Sequence, residues 1–386
     1  MRKLVSKYIF GPEKNRTKIY NKIKSQALRK RIFLASIEPL YKEIAKGNTL
    51  GLTVPAFNIR TLTFDVACSI FKVAKKEKAS AFILEIARSE MEYTKQSPTE
   101  FALCVLGAAI KEKYKGPVFL QGDHFYLEKT TEQEIKNLES LILQSLSAGF
   151  YNFDIDCSGL SIEENVKYTN YFIDFIKKNQ PQGVEVAIGG EVSAIGEELT
   201  SIGQLEHFLK NTHGLTKASC QTGTRHGGNV LPSGLIADVD ISFENIKKLG
   251  QIAKQYNVAG VVQHGASTLK ESQFMDLAKA GVLEVHLSTL FTDIILDSQS
   301  FPKELKNKMY SFVQENYSTL VKEYKTNAQF LQVFRKKALG VFKKEIWQMP
   351  KKNIKNIRHE LEKSFKFFFK VFNVSNTRDL IKKNYN

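Results

Sequence analysis

Between residues 50 and 290, short β-type runs alternate with longer amphipathic helical segments, and this alternation restricts the fold more than any other feature of the sequence. Segments such as 132–148 and 241–256 carry apolar residues every three or four positions, which is typical of helices with one buried face. Strands that alternate with such helices form a parallel sheet. Eight strands are predicted, over residues 52–57, 80–86, 117–121, 151–156, 184–190, 217–222, 259–263 and 282–287.

An open doubly wound sheet and a closed barrel both fit this alternation, and the positions of the polar side chains distinguish them. Residues capable of chemistry lie at or just after the carboxyl ends of separate predicted strands. In a closed barrel those ends converge at one mouth. We therefore predict an α/β TIM (β/α)8 barrel with N- and C-terminal helical extensions. The residues at the strand ends are Asn58, Asp123, His124, Asp156, Glu191, His226, His264 and His286.

The net charge of +16 is concentrated at the two ends of the chain. Residues 1–35 hold 11 Lys and Arg against one acid, residues 351–386 hold 10 against three, and the middle holds 35 basic and 36 acidic residues. We predict a basic N-terminal extension over 1–35, a catalytic barrel domain over 36–350 and a basic amphipathic helix or tail over 351–386. Because the middle is nearly neutral, nucleic acid is not expected as the primary partner.

The C-terminal segment is predicted to be an amphipathic helix with a rim of lysines. Docking of its apolar face on the barrel or on another subunit is expected, because isolated helices rarely persist without packing. Contact with an anionic membrane or a nucleic acid is the alternative. The Lys-rich N-terminal segment loosely resembles an organelle transit peptide. The apolar face comprises Ile354, Ile357, Leu361, Phe365, Phe368 and Phe372.

The remaining composition predicts a soluble, cytoplasmic protein. No stretch approaches the roughly 20 apolar residues that cross a bilayer, so no transmembrane segment is expected. The start of the chain lacks the apolar region of a secretory signal. The four cysteines are scattered and are expected to be reduced thiols.

Three of the seven histidines lie in loops of similar design, within GDHF at 122–125, TRHGG at 224–228 and QHGAS at 263–267. Any one of them, taken singly, would more often be a hydrogen-bonded core or surface residue. Their joint occurrence at the ends of the third, sixth and seventh strands favours a shared site. Three neutral imidazoles with an open fourth position are typical of catalytic zinc.

Four segments resemble the successive signatures of class II, metal-dependent fructose-bisphosphate aldolases: VPAFNIR at 54–60, GDH at 122–124, GTRHGG at 223–228 and VVQHGAS at 261–267. They occur in the family's order and spacing, and the resemblance covers about residues 50–350. It implies a lyase of glycolysis and gluconeogenesis that cleaves fructose 1,6-bisphosphate to glycerone phosphate and glyceraldehyde 3-phosphate. It also implies one Zn²⁺ per chain, often with a monovalent cation, and a homo-oligomer, either dimer or tetramer.

The resemblance assigns roles to the residues that match these motifs. His124, His226 and His264 would be metal ligands, and Asp123 would be the general acid/base for the oxygen on the fourth carbon. The chemistry agrees, because that oxygen must lose a proton during cleavage and a carboxylate beside the metal can take it. Support of a ligand histidine is the alternative role for Asp123.

The stretch GGEVSAIGEE at 189–198 resembles the family's loop after the fifth strand. Glu191 matches a glutamate that can contact the metal in an alternative position. Glu197 and Glu198 compete for the position of a later glutamate that serves in proton transfer. Asp156 resembles an accessory aspartate of the metal site, and a solvated loop end is its alternative.

Phosphate binding is expected at glycine-rich turns, whose free N–H groups can form anion nests. In the family, phosphate is held at positions that match Gly227, Gly265, Ala266 and Ser267 here. Asn58, at the end of the first barrel strand, is a further candidate for substrate binding.

Three departures from the family pattern affect the substrate. His286, Ser288 and Thr289 stand where the family has Asn-x-Asp-Thr. By the resemblance they are candidate substrate- or phosphate-binding residues, with an imidazole in place of the family's substrate-contacting amide. Arg88 could bind phosphate or pair with a neighbouring acid, and Arg225 replaces a small residue. The alternative functions are therefore an aldolase for tagatose 1,6-bisphosphate or another sugar phosphate, and a non-catalytic barrel that supports a partner enzyme.

Overall fold

The computed structural model describes residues 1–48, 51–194, 198–224, 228–239 and 241–385. In this part of the chain nine parallel strands form one sheet, and eight of them close into a barrel because each pairs with a neighbour on both sides. The predicted barrel is confirmed. The strands are β1 Ile32–Ala35, β2 Val54–Asn58, β3 Ile83–Ala87, β4 Gly116–Tyr126, β5 Asn152–Asp156, β6 Ala187–Glu191, β7 Lys217–Ser219, β8 Val261–Gln263 and β9 Glu284–Leu287.

Strands β2 to β9 are the eight predicted strands, with shifted ends. Strand β4 continues to Tyr126, five residues beyond its predicted end. Strand β7 is shorter than expected and ends at Ser219, although the sequence predicts a strand to residue 222. Strand β7 ends early because the hydrogen-bond partner of the backbone changes, since the N–H of Gln221 donates to the Thr200 hydroxyl at 2.7 Å. Beyond Ser219 the backbone therefore leaves the sheet and enters the mouth of the barrel.

Strand β1 was not predicted. It pairs with the first four residues of β4, where Ala35 lies opposite Phe119. Phe119 also pairs with Ile83 of β3, so β1 occupies the edge of β4 that β5 takes farther along the chain. The strand is only four residues long and follows a strongly basic segment, which explains why composition assigned it to an extension.

Helices connect the strands and cover the barrel. Several begin at a Ser or Thr whose side chain accepts a hydrogen bond from the third helical N–H, as at Ser97, Thr131 and Ser161. Such caps satisfy N–H groups that lack a partner within the helix. Among the described residues, no helix combines the length and apolar composition that spanning a bilayer requires.

The described α-helices are α1 Arg2–Phe10, α2 Arg16–Arg29, α3 Glu38–Ala45, α4 Thr63–Glu77, α5 Arg88–Thr94, α6 Pro98–Glu112, α7 Glu132–Ala148, α8 Ile162–Asn179, α9 Ile202–Asn211, α10 Phe243–Gln255, α11 Glu271–Lys279, α12 Thr289–Asp297, α13 Lys303–Asn316, α14 Asn327–Phe334, α15 Lys343–Trp347, α16 Lys351–Val371 and α17 Arg378–Lys383. Short 3-10 helices cover Glu13–Asn15, Ala266–Thr268, Ser318–Glu323 and Arg335–Ala338.

The basic N-terminal segment packs against the helices of the barrel. Val5 of α1 and Ile19 and Ile23 of α2 are buried. The Nε atom of Arg2 lies 2.9 Å from the carboxylate of Asp65 in α4. The segment therefore contributes to the hydrophobic core in addition to the surface charge.

The C-terminal amphipathic helix α16 docks on the barrel. The ring of Phe365 lies 5.0 Å from that of Phe57 in β2 and 4.8 Å from that of Phe291 in α12. Burying a side chain of this size contributes about 1.5–3 kcal/mol. Of the alternatives predicted for this helix, the structure shows docking on the barrel. The six residues predicted on the apolar face, Ile354, Ile357, Leu361, Phe365, Phe368 and Phe372, are all buried.

Candidate active site

Asp123 and His124 both reach the mouth of the barrel because β4 contains a bulge. Successive side chains of a regular strand point to opposite faces, so two neighbours would not share one cavity. The register between β4 and β5 shifts between Gly122 and Phe125, and His124 has a φ of 42°. A bulge re-aims a side chain in this way. Glycine is needed at 122, because a Cβ there would lie 2.5 Å from the Phe125 ring.

His124, Glu191 and His264 form a group that could hold a metal ion. One ligand atom from each lies within 4.8 Å of the other two. The Oε1 atom of Glu191 is 3.0 Å from Nε2 of His264 and 3.6 Å from Nδ1 of His124. Imidazole nitrogens and carboxylate oxygens are common donors to zinc.

The pKa of each member of this group is shifted. Burial raises the pKa of Glu191 to about 8, against the opposite effect of His124. Burial disfavours the charged form of His124, yet the carboxylates of Asp123 and Glu191 hold its pKa well above the usual value. Burial and the charges of His286 and His124 hold the pKa of His264 well below the usual value. His264 is therefore a neutral imidazole, the form that binds metals.

The surroundings of Glu191 fit a bound cation. The side chain is 1% exposed, and neither oxygen accepts a hydrogen bond of acceptable geometry from the described residues. A buried carboxylate in this state is costly, and a cation between Glu191 and the two histidines would compensate its charge. Two nitrogens and one oxygen are a donor set that suits a divalent ion such as zinc.

Asp123 lies beside this group and is held at both oxygens. Asn58 Nδ2 donates to Oδ2 at 3.3 Å, and His286 Nδ1 lies 3.2 Å from Oδ1. His124 Nε2 lies 3.9 Å and His264 Nδ1 4.0 Å from the same Oδ1. Burial acts to raise the pKa of Asp123, but His124 and His286 hold it well below the usual value. Asp123 is therefore an anion, the form that can accept a proton.

Asp156 contacts His124 from one side of the group. Its Oδ2 lies 2.9 Å from Nδ1 of His124, while its Oδ1 accepts hydrogen bonds from the N–H and hydroxyl of Ser158. Burial acts to raise the pKa of Asp156, but His124 and Ser158 lower it to about 2. An anionic partner of this kind orients an imidazole.

Ser288 contacts the loop that follows β8, and Thr289 contacts Arg60 after β2. The N–H of Ser288 donates to the Ser267 hydroxyl at 2.8 Å. The Nη1 atom of Arg60 donates to the Thr289 hydroxyl at 3.3 Å. Gly265 has a φ of 65°, in the left-handed region that favours glycine, and it turns the loop toward Ser267.

Most of these side chains line one cavity of about 430 Å³ at the carboxyl ends of the strands, and Glu191 lies behind them without lining it. This volume is in the range of small-molecule sites. Ten residues selected from the sequence line it: Asn58, Asp123, His124, Asp156, His264, Gly265, Ser267, His286, Ser288 and Thr289.

The remaining predicted site residues either make other contacts or fall outside the described part of the chain. Arg88 donates to Glu134 at 2.7 Å, and its guanidinium carbon lies 4.4 Å from the centre of the Tyr126 ring. It therefore makes the acid pair that was the alternative to phosphate binding. Ala266 is buried and Glu198 is exposed. Glu197, Arg225, His226 and Gly227 lie outside the described residues.

The sequence analysis missed two cations of the cavity, Arg60 and Lys336. Arg60 follows a strand end by two residues, so the signal that selected Asn58 could have found it. Its Nε atom pairs with Glu90 at 2.6 Å. Lys336 lies in a 3-10 helix after the barrel, where no strand-end signal applies. Burial and the charge of Arg60 lower the pKa of Lys336 to about 8.

Comparison with known proteins places the chain in a family. A fructose-bisphosphate aldolase of Ureaplasma parvum is 24% identical over 240 residues, which are 61% of this chain and 73% of that protein. The structure of a fructose-bisphosphate aldolase from Campylobacter jejuni has a TM-score of 0.57 at 15% identity, over 89% of this chain and 96% of that one. The structure of a fructuronate-tagaturonate epimerase from Cohnella laeviribosi has a TM-score of 0.59 at 11% identity, over 83% of this chain and 81% of that one.

The two structural similarities concern the fold, since the identities are low. Residues 39–377, which include all the site residues above, match the family described as "Fructose-bisphosphate aldolase class-II". The chain therefore belongs to the class II fructose-bisphosphate aldolase family.

Proposed function

We propose that this protein is a zinc-dependent aldolase that reversibly cleaves fructose 1,6-bisphosphate to glycerone phosphate and glyceraldehyde 3-phosphate. The observation that carries the proposal is the position of Asp123, whose Oδ1 lies within 4.0 Å of His124 and His264. Those two histidines belong to the candidate metal group. A carboxylate beside a Lewis acid is the pair of groups that this carbon–carbon cleavage requires.

His124, Glu191 and His264 would hold the ion, and the family resemblance adds His226 as a ligand. When bound, the ion supplies positive charge that stabilises the negative charge developing on the substrate oxygens. Asp156 would orient His124 through the 2.9 Å contact with Nδ1. A carboxylate partner of this kind would fix the ring orientation and raise the basicity of a histidine ligand.

Asp123 would take the proton from the hydroxyl on the fourth carbon. As the bond between the third and fourth carbons breaks, its electron pair goes to the third carbon, and the fourth carbon becomes the aldehyde. In the direction of synthesis, Asp123 returns the proton to the same oxygen. Glu197 or Glu198 would exchange the proton at the third carbon, on the family resemblance alone.

Both phosphates would be bound within the cavity. The turn at Gly265 and Ser267 presents backbone N–H groups that can donate to phosphate oxygens, and Gly227 joins it by resemblance. Lys336 and Arg60 supply positive charge from the cavity wall. Charge-assisted hydrogen bonds to phosphate are among the stronger polar contacts in proteins.

Another ketose phosphate, such as tagatose 1,6-bisphosphate, is the second candidate substrate. The observation that favours it is His286, which stands where the family has a substrate-contacting asparagine. Its ring nitrogens contact Asp123 and Glu284. A non-catalytic barrel is less consistent with the structure, because Asp123, His124 and His264 line one cavity.

The test is metal analysis of the purified protein combined with a cleavage assay on a panel of ketose phosphates. We expect about one divalent ion per chain, loss of turnover with EDTA and recovery with zinc. Borohydride should trap no substrate on a lysine, since the mechanism uses no Schiff base. Folded protein that lacks metal, and whose turnover EDTA does not change, would refute the proposal. Light scattering would test the proposed homo-oligomer.

A further inference from the structure

The barrel interior below the mouth contains charged side chains that the mechanism above does not use. The inward layers of such barrels are usually filled by Val, Ile and Leu. Here Glu85, Asp154, Lys217 and Glu284 come from four different strands, and each is at most 1% exposed. Buried charges are costly even when paired, so this cluster is poorly explained by packing alone.

His286 connects the cluster to Asp123. Glu284 and His286 are two residues apart on β9 and therefore face the same side of the strand. The Nε2 atom of His286 lies 2.6 Å from Glu284 Oε1, and its Nδ1 atom lies 3.2 Å from Asp123 Oδ1. Both partners are carboxylates, which only accept hydrogen bonds when ionised. Both ring nitrogens therefore donate, and the ring is fixed at two points.

Glu284 is itself held by three further partners. Lys217 Nζ donates to Oε1, and Gln121 Nε2 donates to the same oxygen at 2.8 Å. The hydroxyl of Tyr41 donates to Oε2. Lys217 also lies 3.0 Å from Asp154 Oδ1, so its charge is balanced from two sides. Glu284 would therefore keep its position if the contact with His286 were lost.

We infer that His286 and Glu284 are positioning residues that hold the Asp123 carboxylate in the orientation for proton transfer. The inference rests on the proposed function. It assigns His286 a role through Asp123, in place of the substrate contact expected from the sequence.

Orientation matters here because the terminal torsion of an aspartate is broad. Asn58 on Oδ2 and His286 on Oδ1 restrict rotation of the Asp123 carboxylate from both sides. A catalytic group displaced by about 1 Å can lose about 10²-fold in rate. The cluster fixes Glu284, Glu284 fixes His286, and His286 fixes the oxygen that lies nearest the metal group.

Two substitutions of His286 test its contacts with Asp123 and with Glu284 separately. His286→Asn retains an amide near the position of Nδ1, which can still donate to Asp123 but is too short to reach Glu284. His286→Gln reaches toward Glu284 and loses the donor to Asp123. We expect kcat to fall about 10–100-fold in the glutamine variant, the range for a lost orienting partner. The asparagine variant should lose less than the glutamine variant, and KM should change little in both.

A double-mutant cycle with Asp123→Asn completes the test. In that background the His286→Gln substitution should reduce kcat no further, because the group that it orients is already gone. Metal content and melting temperature, measured on every variant, show whether a loss reflects misfolding. Three results would overturn the inference: a raised KM with unchanged kcat in both His286 variants, equal losses of kcat in both, or additive losses in the cycle. Cleavage by the wild type would still support the proposed function in each of these cases. A wild-type protein that carries its metal but cleaves no substrate would refute both the proposed function and this inference.

Discussion

Asp156 Oδ2 lies 2.9 Å from Nδ1 of His124, and the carboxylate is held in place by Ser158. The contact supports the proposal that Asp156 orients His124, which is a proposed metal ligand. A histidine ligand that loses such a partner is less well oriented and less basic, so it binds the metal more weakly.

Asp156→Asn should weaken metal binding about 10–100-fold and leave activity recoverable by added zinc. Metal affinity, measured by competition with a chelator, checks the first part, and turnover at increasing zinc concentration checks the second. Asp174→Asn is a matched control, because Asp174 makes a similar 2.7 Å contact with His213 on the exposed surface. Unchanged metal affinity in Asp156→Asn would contradict the assignment.

Asp123→Asn should behave in the opposite way. The amide retains the size of the side chain but cannot take up the proton, so turnover should fall roughly 10²–10⁴-fold with the metal retained. Proton exchange at the third carbon of bound glycerone phosphate should suffer less, since a different residue is proposed for it. Recovery of cleavage on addition of zinc would instead show that Asp123 only supports the metal site.

The fold and part of the site were accessible from the sequence because their signals are local. Strand runs, helical periodicity and polar residues at strand ends are read within a few positions, and they located Asn58, Asp123, His124 and His264 in one cavity. The bulge in β4 was not foreseen. It depends on the fit of Gly122 against the Phe125 ring, which no periodicity reports.

The missed features depend on contacts between distant segments. Lys336 lies 213 residues after Asp123 and enters the cavity only because the chain returns to the barrel mouth. The partners of Glu284 come from α3, β4 and β7. A single sequence does not show that Tyr41 and Lys217 converge on one carboxylate, so His286 was interpreted as a substrate ligand.

Lys336 should make substrate affinity depend on pH. Burial and Arg60 lower its pKa to about 8, so the positive charge is present below that pH and is lost as the pH rises through it. We expect KM for the phosphorylated substrate to increase between pH 7 and 9. In Lys336→Arg, which stays charged over this range, KM should change less with pH.

Lys336→Met should raise KM roughly 10-fold at pH 7, since a hydrogen bond to a charged group contributes about 1.5–3 kcal/mol, and its difference from the wild type should shrink as the pH rises toward 9. Lys337→Met is the matched control, because the ammonium of Lys337 lies over the Tyr93 ring at 5.3 Å. A KM that does not vary with pH in the wild type, or equal effects of the two Met substitutions, would count against a phosphate contact by Lys336.

Lys217→Met should be strongly destabilising. Lys217 is fully buried between Asp154 and Glu284, and burial acts to lower its pKa while these two carboxylates raise it, so the side chain is charged. Removing it takes a contacting positive charge away from two buried carboxylates. Breaking a buried ion pair costs about 3–5 kcal/mol, and the free energy of unfolding in urea should fall by this amount.

Two comparisons make this stability test specific. Lys270→Met removes a 2.7 Å pair with Asp238 on the exposed surface and should cost less than about 1 kcal/mol. Adding Glu284→Gln to Lys217→Met removes one uncompensated charge, so the double variant should be more stable than Lys217→Met alone. If Lys217→Met were no more destabilising than Lys270→Met, the buried charges would not depend on one another, and Glu284 would lack the fixed position that holds His286.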